Sequence, residues 1–158
     1  MNAKMPQLKH CFESAGFTNV KTVRSSGNVV FDTRMSSAAA VERKAEAAMA
    51  DALGRTFLTI VRPVDALLEL IANDPYRAFQ FPTAAKRVVT FLRLAPKAPP
   101  TLPLAVEGAR VLTIQDREVF SVYAPGPCGP VFMHLLEKTF GTNITTRTWD
   151  TIERCANA

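Results

Sequence analysis

The sequence has few cysteines and no long apolar run. Its three cysteines, Cys11, Cys128 and Cys155, lie far apart, with no Cys-x-x-Cys pair and no neighbouring histidine pair. This spacing argues against a zinc site and a disulfide framework, and it favours reduced thiols in a cytoplasmic protein. No stretch reaches the ~18 apolar residues of a membrane span, and charged residues interrupt the one apolar segment near the start. The sequence therefore predicts a cytoplasmic protein without a membrane segment.

The patterns of known catalytic sites are also missing. There are no carboxylate pairs at useful spacing, no cluster of metal-binding side chains and no Gly-x-Ser-x-Gly turn. His10 and His134 belong to no motif that would link them to a nucleophile, and a nucleophilic serine needs such a base. The sequence therefore predicts no catalytic residue, no metal and no cofactor.

Positive charge is in modest excess. Nineteen Lys and Arg residues face fourteen Asp and Glu residues, giving a net charge of +5 and a pI near 9.4. An excess of this size favours anionic partners, although a solvated surface often carries the same charge. With 158 residues, of which 47% are hydrophobic, the chain can bury a core as one domain or two small ones.

The first sixty residues predict the order helix, strand, strand, helix, strand. Apolar spacing predicts a helix that starts near Pro6 and is stopped by Gly16, and a second helix capped by Ser36 or Ser37. Between them lies a hairpin whose turn contains Gly27 and Asn28, both of which tolerate positive φ. Its strands are Val20–Arg24 and Val29–Asp32, and a further strand is predicted at Phe57–Val61.

The second half predicts a complete split β-α-β unit, after a linking helix that opens at Pro63 and ends at Asn73-Asp74-Pro75. The predicted elements are a strand at Arg87–Leu94, one or two helical turns around Leu102–Val106, strands at Val111–Ile114 and Val119–Tyr123, a helix at Val131–Phe140, a strand at Asn143–Thr146 and a last helix at Trp149–Ala156. We therefore predict an α+β fold of two tandem ferredoxin-like halves, residues 1–75 with the linking helix and residues 76–158 with a C-terminal helix.

Compared with that topology, the first half lacks its N-terminal strand. The missing strand would lie in the middle of the sheet, so its absence leaves two strands with unpaired edges. Either the chain start as given is truncated, or something else fills the slot. Self-association into a homodimer is one hypothesis that would close these edges.

The order of several motifs resembles one family. These are Gly16-Phe17-Thr18-Asn19-Val20, Ser26-Gly27-Asn28-Val29, Leu136-Glu137-Lys138 and the closing Thr145–Thr151 segment. With them the chain resembles the domain-of-unknown-function 1697 family, uncharacterised bacterial proteins of similar size. Family members usually begin with a strand and a basic, glycine-containing loop ahead of the residues matching Asn2–Pro6. That family has no established activity, so the resemblance implies a fold and not a reaction.

Two segments depart from the family pattern. Members tend to carry Ser-Lys-Leu where this chain has Gly129-Pro130-Val131, and Arg-Asn-Trp-Asn where it has Arg147-Thr148-Trp149-Asp150. If those polar residues serve a ligand in relatives, this chain has lost a lysine and two amides.

Five residues are candidates for ligand binding: Ser26, Gly27 and Asn28 in the hairpin turn, with Arg62 and Arg147. The leading hypothesis is a non-enzymatic binding protein for a small anionic ligand, because the chain is basic and lacks a catalytic pattern. The second is an enzyme with a site between the two halves. The third is an RNA- or DNA-binding module, although Phe31 and Phe91 do not form the aromatic-rich signature that such sheets carry.

Overall fold

The structure is a computed structural model that describes residues 3–126 and 129–158. Its helices are α1 (Met5–Ser14), α2 (Ala38–Leu53), α3 (Val64–Asn73), α4 (Gly129–Phe140) and α5 (Trp149–Ala156), with a short 3₁₀ turn at Pro75–Ala78. Its strands are β1 (Thr18–Val23), β2 (Asn28–Asp32), β3 (Lys86–Leu92), β4 (Leu104–Val106), β5 (Ala109–Gln115), β6 (Glu118–Tyr123) and β7 (Ile144–Thr148). The fold is thus α+β, with two sheets and a C-terminal helix.

The chain divides into two compact units. The first comprises Met1–Glu69 and Thr151–Ala158, and the second comprises Leu70–Asp150. This division assigns the end of the chain to the first unit, whereas the sequence places the boundary after residue 75. The two domains proposed from the sequence stay a prediction.

In the first unit, two helices pack on the β1–β2 hairpin. The buried side chains of α1 are Leu8, Cys11 and Phe12, at the helical spacing read from the sequence. Ser37 caps α2, since its side chain accepts a hydrogen bond from the Ala40 N–H at 3.3 Å. These observations confirm the two predicted helices and the serine cap.

The hairpin is antiparallel, with Lys21 opposite Val30 and Val23 opposite Asn28. Its turn differs from the prediction in one respect. Positive φ values occur at Gly27 (90°) and Arg24 (58°), while Asn28 opens the second strand. The predicted hairpin is confirmed, and of the two residues expected to tolerate positive φ only Gly27 adopts it; the second positive φ of the turn is at Arg24.

The strand predicted at Phe57–Val61 is wrong, because the first unit's sheet contains only β1 and β2 among the described residues. The Val61 N–H donates to a carboxylate oxygen of Glu42 at 2.9 Å, and the Thr59 N–H donates to Glu46 at 3.2 Å. Carboxylates of α2 therefore take the place of a neighbouring strand as hydrogen-bond partners. A β-rich composition cannot make a strand without a partner ladder.

The second unit is built on a five-stranded sheet in the order β4-β5-β6-β3-β7. Strand β3 lies between β6 and β7 and is antiparallel to both. Helix α4 connects β6 to β7 and buries Phe132 and Leu136 against one face of the sheet, next to Val88, Val111 and Val119. The predicted helix and the strands around it are confirmed.

The helical turns predicted around Leu102–Val106 are also wrong. Leu104–Val106 instead forms β4, which pairs with β5 through Leu104 opposite Val111 and Val106 opposite Ala109. Glu107 and Gly108 make the two-residue turn, and Gly108 has φ 81°. Glycine adopts this left-handed conformation without steric cost, so the hairpin can close where one or two helical turns were predicted.

Candidate functional site

Three arginines project from the face of the second unit's sheet that lies opposite α4. Arg110 of β5 is opposite Val122 of β6, which is in turn opposite Arg87 of β3. Residues opposite one another in a sheet point to the same face, so Arg110 and Arg87 lie on one face about 10 Å apart, two strand spacings. Arg147 of β7 is opposite Val89, two residues along β3 from Arg87, and so projects from this face as well.

Arg110 lies at the edge of a partly open, mainly apolar hollow. The hollow has a volume of about 250 Å³ and is lined by Phe79, Leu102, Pro103, Arg110 and Leu112. Phe79 comes from the segment before β3, Leu102 and Pro103 come from the segment between β3 and β4, and Arg110 and Leu112 belong to β5. The register of β5 thus places a guanidinium next to apolar side chains from distant parts of the unit.

A single backbone contact holds the Arg110 side chain. One terminal nitrogen of the guanidinium donates to the Gln80 carbonyl at 2.6 Å, and the residue is half-buried. Within residues 3–126 and 129–158, no carboxylate pairs with Arg110. Because a guanidinium has five N–H donors, most of them stay available to a ligand.

Arg87 is held differently. Its guanidinium carbon lies 5.2 Å from the centroid of the Trp149 ring and 5.7 Å from that of Tyr76. A terminal nitrogen of Arg87 lies 3.9 Å from a carboxylate oxygen of Asp74, and Asp74 also accepts the Tyr76 N–H at 3.1 Å. Two aromatic faces and a loose ion pair therefore stabilise the Arg87 side chain. These contacts indicate a structural role for Arg87.

Tyr76 lies at the centre of this cluster. Its hydroxyl lies 2.6 Å from the Val88 carbonyl and 3.1 Å from the Ser121 carbonyl, and donates to these acceptors on neighbouring strands. Desolvation by burial raises the pKa of Tyr76 well above its usual value. The phenol is therefore neutral at physiological pH and acts as a hydrogen-bond donor inside the core.

The polar candidate residues of the hairpin turn form hydrogen bonds with each other and with the nearby backbone. The Asn28 side-chain amide donates to the Val23 carbonyl at 3.0 Å and to the Ser26 hydroxyl at 2.9 Å. Gly27 supplies the positive φ that the turn needs. These contacts account for the turn by local hydrogen bonding, and they bring Ser26, Gly27 and Asn28 together in the first unit.

The two predicted arginines lie in different units. In the first unit, the Arg62 guanidinium donates to the Val61 carbonyl at 3.0 Å. In the second unit, Arg147 donates to the Thr145 hydroxyl at 2.6 Å and to the Thr146 carbonyl at 2.9 Å. Arg147 thus shares a sheet face with Arg87 and Arg110, which the sequence analysis did not select as ligand-binding residues.

The cysteines offer little reactivity among the described residues. Cys11 is buried and Cys155 is half-buried, neither forms a disulfide, and Cys128 lies outside the described part of the chain. Burial raises the pKa of the Cys11 thiol, which makes it a poor nucleophile.

No group of three metal-binding side chains occurs in the described ranges. None of the described helices combines the length and apolar composition that a membrane crossing requires.

Sequence reasoning missed Arg110 because no motif surrounds it. The sequence feature that could have indicated Arg110 is its place in the strand Ala109–Gln115, one residue before the buried Val111. Alternation alone places Arg110 on the face opposite the buried valine. It does not reveal that Phe79 and Leu102 lie beside it, since that depends on how the loops fold over the sheet.

Comparison with known proteins agrees with the resemblance read from the motifs. A profile of the family described as "Protein of unknown function (DUF1697)" matches residues 1–120. The chain is also similar in fold to the conserved bacterial protein SP0830 from Streptococcus pneumoniae, with a TM-score of 0.70 and 16% identity over 99% of this chain and 88% of that one. No curated protein matches the chain. Since the family profile covers most of its length, the chain belongs to the DUF1697 family.

Proposed function

We propose that the protein is a non-enzymatic binding protein for a small anionic ligand, and that the ligand's charged group binds Arg110. The observation that carries the proposal is a half-buried guanidinium without a carboxylate partner in the described residues, at the edge of an apolar hollow. A cation in this setting is costly to desolvate unless an anion approaches it. An anionic ligand supplies that charge.

The hollow is small. Its volume of about 250 Å³ is below the roughly 300–1,000 Å³ of pockets for drug-sized molecules. Phe79, Leu102 and Leu112 offer apolar surface, whereas Arg110 offers paired N–H donors that suit a carboxylate or phosphate. The ligand class we propose is therefore a short apolar chain or small ring bearing one anionic group.

The other two arginines of this face add to the positive potential. Arg87 and Arg147 project from the same side of the sheet as Arg110. Aromatic rings and a loose ion pair hold the Arg87 side chain, and hydrogen bonds hold the Arg147 side chain. Their charges attract an anion, and salt screens this attraction beyond a length of about 8–10 Å at physiological ionic strength. We therefore expect the affinity to fall as ionic strength rises.

The test is a titration of the protein with three simple probes, in which NMR records the chemical shifts of the backbone amides. Hexanoate carries both the charge and the apolar chain, hexanol carries only the chain, and inorganic phosphate carries only the charge. We expect hexanoate to shift amides around Phe79 and Arg110 and to bind more tightly than either of the other probes. Equal binding of hexanoate and hexanol would contradict a role for the guanidinium.

Two variants locate the binding. Arg110→Gln should weaken hexanoate binding roughly tenfold or more, the value of one hydrogen bond to a charged group. The matched control is Lys138→Gln on α4, which removes one positive charge from the opposite side of the same unit. If the two variants bind hexanoate equally, the net charge and not the Arg110 site is responsible.

The remaining sequence-based hypotheses stay predictions. The turn at Ser26–Asn28 and the side chains of Arg62 and Arg147 form an alternative binding set, and an enzyme site or a homodimer would use the same residues or the sheet edges. For nucleic acids, the aromatic side chains offer little support. Phe91 is buried and the Phe31 ring packs 4.4 Å from Phe17, so neither presents an open face to a base.

We also infer that the second unit is ferredoxin-like. In its support, β6, α4 and β7 form a β-α-β connection with β3 between its two strands, the arrangement of a split unit. Strands β3 and β5 flank β6, but the connection between them, residues 93–108, contains β4 and no helix. The first unit, with α1, β1, β2 and α2, has the two helices and the two middle strands of a ferredoxin-like half, without the first and last strands among its described residues.

A further inference from the structure

One connection in the second unit is rich in proline and lies open to solvent. Residues 94–101 read Leu-Ala-Pro-Lys-Ala-Pro-Pro-Thr and lie between β3 and β4. Six of these eight residues are exposed, and the other two, Pro96 and Pro100, are half-buried. Leu94 is 78% exposed, more than any other large apolar side chain in the described ranges. We call residues 94–101 the proline segment.

The fold holds the proline segment at its two ends and not along its length. At the first end, the Arg93 N–H donates to the Asn143 carbonyl at 3.2 Å. At the other end, Leu102 and Pro103 line the hollow. Between these points, residues 94–101 make no hydrogen bond to any part of the chain that the structure describes. Their carbonyl oxygens are therefore available to a partner.

The backbone of the proline segment has few accessible conformations. Proline fixes φ at about −65°, and a residue before proline is biased towards extended or polyproline II geometry. Between Ala95 and Pro100, these two effects restrict every residue except Lys97. The chain bends at Lys97 and Ala98, so rotation about Lys97 would convert the bent segment into a straight polyproline II helix.

In the straight form, the segment presents a repeated pair of residues. Ala95-Pro96 and Ala98-Pro99 are three residues apart, which is one turn of a polyproline II helix and about 9 Å along its axis. Both pairs then lie on the same side of the helix. Grooves walled by aromatic rings bind proline-rich segments with this Pro-x-x-Pro spacing. A second repeat that starts at Pro100 is less suited, because its last proline lines the hollow.

Charge indicates what should lie beside such a groove. From residue 86 to residue 106 the chain has no acidic residue, whereas Lys86, Arg87, Arg93 and Lys97 are basic. Lys97 is exposed and forms no ion pair with a described residue. Acidic side chains next to the groove would therefore attract the segment, and salt would screen that attraction.

We propose that the proline segment is a docking site for a partner protein that has a groove of aromatic side chains with acidic residues beside it. The groove holds both Ala-Pro pairs in the straight form, and donors along it bond the carbonyl oxygens of the segment. This inference is independent of anion binding at Arg110, because none of residues 94–101 lines the hollow.

The probe is a purified SH3 domain with a groove of tyrosine and tryptophan and with acidic residues at one end of it. NMR records the backbone amide shifts of the labelled full chain during the titration. We expect shifts at Lys97, Ala98 and Thr101, little change around Phe79 and Arg110, and an affinity that falls as salt is added. The same domain with its groove tryptophan replaced by alanine should bind at least roughly tenfold more weakly.

Two proline variants locate the contact. Pro99→Ala removes one of the two Ala-Pro pairs and should weaken binding roughly fivefold or more. The matched control is Pro82→Ala, which removes an exposed proline from the loop before β3 and should bind as the parent chain does. Equal binding of the two variants would overturn the proposal.

Two variants at Lys97 test the straight form. Lys97→Pro and Lys97→Ala remove the same charge, but proline also fixes φ at the one unrestricted position. Lys97→Pro should therefore bind about two- to fivefold more tightly than Lys97→Ala. Weaker binding of Lys97→Pro would contradict the proposal. The absence of shifts at residues 97–101 with millimolar probe would also overturn it.

Discussion

The guanidinium of Arg87 lies over the ring of Trp149, with its carbon 5.2 Å from the ring centroid. The Tyr76 ring meets the same indole edge-on at a centroid distance of 5.2 Å. Trp149 begins α5 and is 5% exposed, so one side chain connects the start of the last helix to the sheet of the second unit. An indole packed between a cation and an aromatic edge contributes both buried area and directional contacts.

Replacing Trp149 with alanine should lower the free energy of unfolding by about 3 kcal/mol or more, because a large side chain leaves a cavity and Arg87 loses an aromatic partner. Urea denaturation followed by far-ultraviolet circular dichroism measures this loss. Tryptophan fluorescence does not serve here, because the substitution removes the single tryptophan of the chain. Trp149→Phe keeps an aromatic ring and should lose less. An equal loss in both variants would mean that the cavity is not the cause.

Replacing Tyr76 with phenylalanine should cost about 1–3 kcal/mol of stability. The ring contacts with Phe120 and Trp149 remain, but the Val88 and Ser121 carbonyls lose the hydroxyl that bonds them. The control is Tyr123→Phe, whose hydroxyl makes no hydrogen bond within the described ranges. We expect that change to shift the urea midpoint by much less than Tyr76→Phe does.

Stability should also fall at alkaline pH because of Tyr76. Burial raises its pKa in the folded state, whereas in the unfolded chain the phenol loses its proton near its usual value of about 10. Above that pH the unfolded state binds fewer protons than the folded state, so the free energy of unfolding decreases as pH rises. The stabilising term is complete below about pH 10. Chemical denaturation at a series of pH values should show a steeper decline for the parent chain than for Tyr76→Phe, and parallel curves would contradict this assignment.

Removing the Glu42 carboxylate should destabilise the first unit by about 1.5–3 kcal/mol. Glu42 is 4% exposed and accepts the Val61 N–H, so Glu42→Ala leaves an amide without its charged partner. Glu42→Gln retains an acceptor oxygen and should lose less. The control Asp51→Ala lies on the same helix at an exposed position and should be close to neutral in urea denaturation.

Local patterns predicted much of the fold. Helical spacing in Leu8–Ala15 and the turn residues around Gly27 and Asp116 depend on neighbours in sequence, and the structure has α1 and two hairpins there. Whether Phe57–Val61 becomes a strand depends instead on a partner elsewhere in the fold. That information is non-local, so composition alone gave the wrong answer.

The candidate site was predictable only in part. Arg147 was selected for its charge, and the sheet places it on the face that also carries Arg110 and Arg87. The neighbourhood of Arg110 depends on loops on both sides of β3, which contain Phe79 and Leu102. Side chains brought together from such separate segments leave no periodic signal in the sequence.

The central position of β3 has a consequence for synthesis on the ribosome. Its two partners, β6 and β7, follow it in the chain, and β7 ends only at Thr148. A nascent chain therefore carries an apolar strand whose two edges stay open until most of the second unit has been translated. During that interval β3 is a segment that a chaperone would protect, and slow translation between residues 93 and 148 would prolong its exposure.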